Sequence, residues 1–343
     1  MKAYKRILII KMSSLGDVIH ALPTLYAIRK NWPDAHITWA VHEQFSQVLP
    51  GKPWIDEIIY IDKKKLTSLP YLWQLRKELH RRKFDMCLDL QCLAKSALVA
   101  WLSGAKEHYG YWELREGSGL INKALVGPHK MGHVIERYLD TVRALGGTVD
   151  RVEFPLRRDP KEADAVNTML QMHGMPKGMP YIVVAPGARW AVKEWPSENY
   201  GLLCKRWAEK GMYTVLVGSS AEKAKAMSIR DIAGTTYCID MTGKTTLQGL
   251  IELIAGASMY VSADTGPLHI ANALKVPLIA LFGPTSPQRT GPYGGAHVHC
   301  LISPTSKATP EHPLVDDPEC MKQITVDDVW SLYEEVSNHG IKP

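Results

Sequence analysis

Residues 261–273 read V-S-A-D-T-G-P-L-H-I-A-N-A, and this stretch contains the pattern that decides the fold. The apolar run that ends at Val261 predicts a buried strand, and the apolar spacing after Pro267 predicts a helix. A proline near the start of a helix costs no hydrogen bond, because the first N–H groups have no partner within the helix. The stretch therefore predicts a strand, a tight turn and a helix, in that order.

The start of this predicted helix is a candidate anion site. Its exposed N–H groups and positive dipole end favour a negative ligand. Thr265 adds a hydroxyl, and His269 adds an imidazole that can carry a positive charge. The same residues fit an N-capped turn with a half-buried His269 equally well, so this stretch alone leaves both interpretations open.

Strands alternate with helices along most of the chain. An apolar run at residues 5–11 is followed by the loop M-S-S-L-G-D at residues 12–17 and a helical pattern at residues 18–30. The alternation begins again at residue 181, after a stretch rich in Gly, Pro and Met. This pattern predicts an α/β fold of two tandem doubly wound Rossmann-like domains that face each other across a cleft.

The predicted boundaries follow from this restart. We predict an N-terminal Rossmann-like domain at residues 1–155 and a linker region at 156–180. A C-terminal Rossmann-like domain then spans residues 181–325. Residues 326–343 are predicted to form a final helix that packs back on the first domain.

Composition indicates a globular protein, since 45% of the residues are hydrophobic and 22% are charged. No apolar stretch approaches the roughly 20 residues that a membrane-spanning helix needs. The apolar run at residues 7–10 is too short for a signal peptide, so we expect a cytoplasmic protein. The six cysteines contain no C-x-x-C pair, which argues against a zinc site.

Positive charge is concentrated in the first part of the chain. Residues 1–155 contain 23 Lys and Arg against 16 Asp and Glu, a net charge of +7, whereas the whole chain carries +6. This asymmetry predicts an anionic partner for the first domain. The basic residues are not interleaved with stacking aromatic residues, so we do not expect nucleic-acid binding.

Common cofactor motifs are missing. No G-x-G-x-x-G follows a predicted strand, no complete Walker A motif occurs, and the candidate loops contain neither D-x-D nor H-x-x-x-H. These absences predict a phosphate site that works without a tightly held metal.

Three charged residues are candidates for that chemistry, each with an ordinary structural alternative. Lys193 follows the loop after a strand and can neutralise a diphosphate, or it is a surface lysine. Glu222 can accept two ribose hydroxyls, or it complements a helix dipole. Asp17 can act as a general base, or it caps a helix.

Five segments resemble the lipopolysaccharide heptosyltransferases of glycosyltransferase family 9. They are K-M-S-S-L-G-D (11–17), D-L-Q-C-L-A-K-S (89–96), K-E-W-P (193–196), D-T-G-P-L-H (264–269) and F-G-P-T (282–285). The resemblance implies the GT-B fold. It also implies inverting, metal-independent transfer of L-glycero-D-manno-heptose from ADP-heptose to Kdo of Kdo2-lipid A, without a cofactor. The segments at 89–96 and 114–116 look more like heptosyltransferase I than II.

The resemblance also implies that the domain at residues 1–155 binds the acceptor and that the domain at residues 181–325 binds the nucleotide sugar. It implies roles for individual residues too, with Asp17 as the catalytic base. The implied donor-binding residues are Ala188, Arg189, Lys193, Glu222, Thr245, Asp264, Thr265, Gly266 and His269. The implied acceptor-binding residues are Ser13, Ser14, Lys63, Lys64, Lys95, Arg115 and Arg137. Two departures stand out: Cys92 replaces the family's usual Gly, and Ala188 and Arg189 stand where some members have a pair of Thr.

The implied partners are ADP-heptose and an anionic glycolipid, with a monomer in peripheral contact with the cytoplasmic face of the inner membrane. One alternative is heptosyltransferase II or another family 9 enzyme with a different acceptor or nucleotide sugar. The other is a non-enzymatic module that binds a nucleotide sugar or lipid A. It is less favoured, because Asp17 and Lys193 are both present.

Overall fold

The computed structural model describes residues 2–338, and the chain divides into two compact units, Met1–Arg157 and Arg158–Pro343. The division falls two residues after the predicted end of the first domain. Each unit is a doubly wound α/β sheet in which every strand pairing is parallel. The predicted α/β fold class is confirmed.

The first unit contains six strands and five α-helices among its described residues. Its strands are β1 (Arg6–Ile10), β2 (His36–Val41), β3 (Glu57–Tyr60), β4 (Met86–Asp89), β5 (Glu107–Tyr111) and β6 (Lys123–Leu125). Its helices are α1 (Leu15–His20), α2 (Leu22–Asn31), α3 (Leu69–His80), α4 (Ala94–Ser103) and α5 (Val134–Ala144). The strand order is β3-β2-β1-β4-β5-β6.

The order reverses between β1 and β4, and this switch point positions the polar loops of the unit. Ile10 pairs with Asp89 across the two strands, so both strands end at the same level. Helices leave in opposite directions on either side of a switch point, which opens a crevice at the carboxyl ends of the strands. The loops after Ile10 and Asp89 therefore lie side by side at the edge where ligands bind.

The second unit repeats this design. Its strands are β7 (Tyr181–Ala185), β8 (Tyr213–Leu216), β9 (Cys238–Asp240), β10 (Met259–Ala263), β11 (Leu278–Phe282) and β12 (Val298–Ile302). Its helices are α6 (Pro160–Met172), α7 (Ser197–Glu209), α8 (Lys223–Ala233), α9 (Leu247–Ala255), α10 (Gly266–Ala273), α11 (Pro287–Thr290) and α12 (Val326–Asn338). The strand order is β12-β11-β10-β7-β8-β9. Read from the β9 edge, with the strands of this unit counted from β7, it is the order of the first unit.

The switch point of the second unit lies between β7 and β10, and the last residue pair between these two strands is Ala185 with Ser262. These strands are completely buried, as expected for a parallel sheet covered on both faces. Trp195 and Trp207 fill the layer between the sheet and its helices. The packing holds the loop after Ala185 beside the turn that begins at Asp264.

Two of the predicted boundaries need correction. Residues 156–180 are not a free linker, because α6 lies within them and packs against α9 of the second unit. The Arg158 guanidinium forms hydrogen bonds of 2.8–3.0 Å to both carboxylate oxygens of the buried Glu252 in α9. This ion pair fastens the segment to the second unit.

The final helix was also placed wrongly. Val329, Tyr333 and Val336 of α12 join the core of the second unit, where the Tyr333 ring meets Trp207 edge-on at 5.5 Å. Its apolar face is therefore filled within the second unit, which replaces the prediction that it packs on the first domain. The end of that prediction, residues 339–343, lies outside the described residues. Among residues 2–338, no helix has the length and apolar character to cross a bilayer.

Candidate active site

Asp17 lies in the first turn of α1, directly after the loop that leaves β1. Its Oδ2 accepts the Ser14 backbone N–H at 3.0 Å and the Ser14 hydroxyl at 2.6 Å. The buried Lys11 ammonium lies 3.8 Å from Oδ1, while the Asp17 side chain is 43% exposed. The arrangement holds a carboxylate in one orientation and leaves it accessible to solvent. A carboxylate held in this way can accept a proton from a ligand hydroxyl.

Lys11 is itself fixed from the other side. Its ammonium donates to the Leu90 carbonyl at 3.0 Å and to the Tyr138 hydroxyl at 2.8 Å. A buried ammonium requires such partners, since an unpaired charge in the interior is very costly. Lys11 therefore ties the loop after β1 to the loop after β4 and places a positive charge beside Asp17.

Gln91 joins the two loops of the switch point a second time. Its side-chain oxygen accepts the backbone N–H groups of Met12 at 2.9 Å and Ser13 at 3.2 Å. The Lys63 ammonium also forms a hydrogen bond with the Ser13 hydroxyl. Two predicted acceptor residues, Ser13 and Lys63, thus bond to each other directly. Gln91, which was not among the candidates, holds the Ser13 backbone in place.

Asp89 organises the loop after β4 from within the core. Its carboxylate accepts the N–H groups of Gln91 and Cys92, the Ser96 hydroxyl and the Asn122 amide, at 2.8–2.9 Å. Burial raises the pKa of Asp89, while these hydrogen bonds favour the carboxylate form. Cys92 adopts a φ of +54°, a conformation that favours glycine. A glycine at this position would adopt that backbone conformation without strain.

The remaining acceptor candidates fall into two groups. Lys64, Lys95 and Arg115 are exposed, so their charges are available to an anionic ligand. Arg137 is only 1% exposed: its Nε donates to the Gly132 carbonyl at 2.7 Å. That burial favours a structural role for Arg137 over contact with an acceptor.

The second unit brings Lys193 and Asp264 together from neighbouring loops. The Lys193 ammonium donates to Asp264 Oδ2 at 2.5 Å, and the two side chains are 16% and 10% exposed. The same ammonium lies 4.8 Å from the centre of the Trp190 ring. Partial burial strengthens the field of this ammonium relative to a surface lysine. A diphosphate bound beside it would gain a charge-assisted hydrogen bond.

The helix start next to this pair has the predicted form. Thr265 occupies the N-cap position of α10, Gly266 is its first residue, and Pro267 follows. Within residues 2–338 the Thr265 side chain makes no capping hydrogen bond, so the first N–H groups can serve a ligand. His269 is buried at 5% exposure in the first turn of the helix. The turn therefore combines N–H donors with the nearby Lys193 charge, as an anion site requires.

Glu222 is held in the same manner as Asp17. Its Oε2 accepts the Ser219 N–H at 2.7 Å and the Ser219 hydroxyl at 2.6 Å. The side chain crosses over Gly187, where an added Cβ would lie 2.4 Å from Glu222 Cγ. Because Gly187 belongs to the loop after β7, this contact brings Glu222 to the loop that carries Lys193.

The loop between β7 and Lys193 is fixed by a residue that sequence reasoning missed. Glu194 Oε1 accepts the Ala188 backbone N–H at 3.2 Å and forms a salt bridge with the Lys225 ammonium. That N–H of Ala188 already has a protein partner, whereas the Arg189 side chain is exposed. Arg189 is therefore the better placed of the two candidates for a phosphate contact.

Thr245 lies in the loop before α9, beside Thr246. The Thr246 hydroxyl caps α9 by accepting the Gly249 N–H at 2.9 Å. Thr245 is half-buried there, at the same sheet edge but beyond Glu222 in the strand order. The donor candidates of the second unit are thus distributed along one edge, from α10 to α9.

Across residues 2–338, no three His, Cys, Asp or Glu side chains form a group that could hold a metal ion.

Fold and candidate site together define a class of α/β proteins built from two doubly wound units, with charged groups at both switch points. The comparisons with known proteins agree. Residues 72–316 match the family described as Glycosyltransferase family 9 (heptosyltransferase). Lipopolysaccharide heptosyltransferase 1 of Pseudomonas aeruginosa is 30% identical over 307 residues, which cover 86% of this chain and 83% of that protein. The chain belongs to glycosyltransferase family 9, and the predictions of the family and of a glycosyltransferase are confirmed.

Solved structures show the same architecture. A glycosyl transferase family 9 protein from Veillonella parvula is 24% identical, with a TM-score of 0.87 and 99% of each chain covered. E. coli heptosyltransferase WaaC with ADP is 26% identical, with a TM-score of 0.76, over 96% of this chain and 99% of that chain.

Proposed function

We propose that this chain catalyses inverting transfer of L-glycero-D-manno-heptose from ADP-heptose to Kdo of Kdo2-lipid A, in lipopolysaccharide inner-core synthesis. The observation that carries the proposal is the Lys193–Asp264 pair beside the start of α10. The relative from Pseudomonas aeruginosa bears the name heptosyltransferase 1, and a 26% identical enzyme was solved with ADP. In this proposal the reaction needs no metal and proceeds in a monomer at the cytoplasmic face of the inner membrane.

The donor half of the proposal assigns the diphosphate to the Lys193 ammonium and the first N–H groups of α10. A nucleoside diphosphate leaving group gains negative charge as its bond to the sugar breaks. Fixed positive groups that stabilise this charge lower the barrier without reorganisation. The Glu222 carboxylate then accepts ribose hydroxyls, and Asp264 contacts the heptose.

The acceptor half assigns the proton to Asp17. A Kdo hydroxyl oxygen attacks the anomeric carbon of the heptose and forms the new glycosidic bond. The bond from that carbon to the diphosphate oxygen breaks, and ADP leaves with the electron pair. Asp17 takes the hydroxyl proton during the attack, and the configuration at the anomeric carbon inverts. The exposed cations Lys64, Lys95 and Arg115 would attract the phosphorylated acceptor.

A transfer assay tests this proposal. We expect heptose transfer from ADP-heptose to Kdo2-lipid A, less transfer to heptosyl-Kdo2-lipid A, and unchanged turnover in EDTA. Preference for the heptosylated acceptor would assign the chain to the heptosyltransferase II reaction instead. Thermal shifts with ADP, UDP, GDP and CMP test the nucleotide, because a ligand that binds the native state stabilises it.

The base is tested by Asp17→Asn. We expect kcat to fall about 10²- to 10⁴-fold, the usual contribution of a general base, with ADP affinity unchanged. Asp34→Asn is the matched control. Asp34 is an exposed carboxylate of the same unit that precedes β2, away from the loops that follow β1 and β4. Near-normal turnover of the Asp17 variant would remove Asp17 from the mechanism.

A further inference from the structure

The outer face of α3 exposes large apolar side chains that the catalytic proposal does not use. Leu69 and Trp73 are 79% and 69% exposed, and Trp101 on the neighbouring α4 is 52% exposed. Leu69 and Trp73 are four residues apart in a helix, so their side chains lie on one face. Isolated exposed apolar residues are ordinary, but an aromatic cluster on one surface indicates a binding function.

The fold does not require these side chains. The inner face of α3 already packs into the core of the first unit through Leu75 and Leu79, which are at most 2% exposed. The helix is therefore anchored without Leu69 or Trp73. Their exposure is a property of the surface rather than a consequence of an unfinished core.

Cations surround this apolar cluster. The Arg76 guanidinium lies 5.3 Å from the centre of the Trp101 ring, and the Lys77 ammonium lies 5.5 Å from the Trp73 ring. Arg81 directly follows the last residue of α3 and is exposed. The interleaved tryptophan rings and cations, together with Leu69, form what we name the α3 surface.

The α3 surface is continuous with the loop after β1, which contains the acceptor candidate Ser13. The segment that leads into α3 contains Lys64 and Lys65, both exposed, and Lys63, which bonds to the Ser13 hydroxyl. A positively charged strip thus extends from the loop after β1 to the start of α3. A molecule held on the α3 surface would lie next to the proposed acceptor site.

We propose that the α3 surface docks on an anionic lipid bilayer. Tryptophan rings favour the boundary between headgroups and acyl chains, and Arg and Lys side chains favour anionic headgroups. This combination of an amphipathic helix, exposed indoles and excess positive charge matches that boundary. The function of this docking rests on the proposed reaction, because its acceptor is a lipid that the α3 surface would bring to the loop after β1.

Vesicle sedimentation tests the docking with purified full-length protein. One set of vesicles contains phosphatidylcholine only, and the other contains equal parts phosphatidylcholine and phosphatidylglycerol. Neither contains acceptor lipid or nucleotide sugar. We expect binding to the anionic vesicles, weaker binding to the neutral ones, and loss of binding at high salt.

Two variants alter the surface by independent means. Replacing Arg76, Lys77 and Arg81 by Gln should weaken binding roughly 100-fold, at about fivefold per cation. Trp73→Ser combined with Trp101→Ser should weaken it about tenfold or more, because the indoles no longer enter the interface. If the tryptophan variant fails to fold, the charge variant decides, since it changes exposed polar groups only.

The matched control replaces three exposed lysines of the second unit, Lys161, Lys177 and Lys205, by Gln. It removes the same charge and should leave vesicle binding within about twofold of wild type. If the protein binds neither type of vesicle, the proposal is overturned, and a protein partner becomes the occupant to test. Equal weakening by the control would also overturn it, since net charge alone would then explain the binding. Heptose transfer without vesicle binding refutes only the docking, and vesicle binding without transfer refutes only the proposed reaction.

Discussion

The Lys193–Asp264 pair offers the sharpest test of the donor site, through Lys193→Met. The substitution keeps the length of the aliphatic stem and removes the ammonium that bonds Asp264 Oδ2 at 2.5 Å. In the proposed complex the ammonium would also bond a phosphate oxygen of ADP. The variant therefore loses a ligand contact and leaves a carboxylate without its cation beside the diphosphate.

The magnitude follows from the burial of the pair. The two side chains are 16% and 10% exposed, so solvent screens their charges less than on an open surface. A hydrogen bond to a charged group contributes about 1.5–3 kcal/mol, and repulsion from the unpaired Asp264 adds to the loss. We expect ADP affinity to fall by about 2–3 kcal/mol, which is roughly 30- to 150-fold in Kd.

Asp264→Asn should act in the opposite direction on ADP. It removes the negative charge that competes with the diphosphate for Lys193, so ADP should bind a few-fold more tightly. The double variant should bind ADP better than Lys193→Met alone, because the unpaired carboxylate is no longer present. Non-additivity of this kind is expected for two residues in direct contact.

Isothermal titration of ADP into the four proteins measures this cycle. Lys205→Met, on the exposed side of α7, is the control for loss of one positive charge in the same unit. An unchanged Kd for Lys193→Met would refute the donor assignment. A double variant as weak as Lys193→Met would show that Asp264 does not oppose the diphosphate.

Two further predictions concern the supports of the site. Gly187→Ala should weaken ADP binding several-fold with little change in melting temperature, because the new Cβ displaces the half-buried Glu222 side chain from its hydrogen bonds with Ser219; titration of ADP checks this. Arg158→Met should destabilise the protein by about 2 kcal/mol at neutral pH, since it leaves the buried Glu252 carboxylate without its cation. Burial alone would raise the pKa of Glu252, but the hydrogen bonds from Arg158 and neighbouring donors lower it by a larger amount. The pKa of Glu252 in the folded protein is therefore below its ordinary value of 4.5. The stabilisation is present above that value and lost as pH falls through the folded-state pKa, so urea unfolding should show a smaller difference between the proteins at about pH 4 than at neutral pH.

Much of the fold could be predicted from the sequence because its signals are local. Buried parallel strands are short apolar runs, and helices show a period of 3.6 residues, so the alternation is visible along the chain. The loops at the switch points follow directly from that alternation. This is why Asp17, Lys193 and the turn at Asp264 could be selected before the strand order was known.

What could not be predicted depends on contacts between distant residues. Arg137 resembles any other cation in a basic half of the chain, but its burial depends on how α5 packs. From the sequence, the Ala188 N–H is a possible phosphate donor. In the folded chain it donates to Glu194, which Lys225 holds in place from a distant helix. The helix at Pro160 has a clear local signal, whereas its attachment to the second unit depends on Glu252, far along the chain.

Helix capping is compatible with the roles proposed for two carboxylates, Asp17 as the base and Glu222 as a ribose contact. Ser14 donates twice to a single oxygen of Asp17, and Ser219 donates twice to a single oxygen of Glu222. Each cap therefore fixes the side chain through one oxygen and sets the direction of the other. A ligand hydroxyl that reaches such a carboxylate finds it oriented, so less entropy is lost on binding. In this interpretation the cap positions the functional group. We expect Ser14→Ala to lower kcat, because the Asp17 carboxylate is still present but loses one of the two hydrogen bonds that orient it.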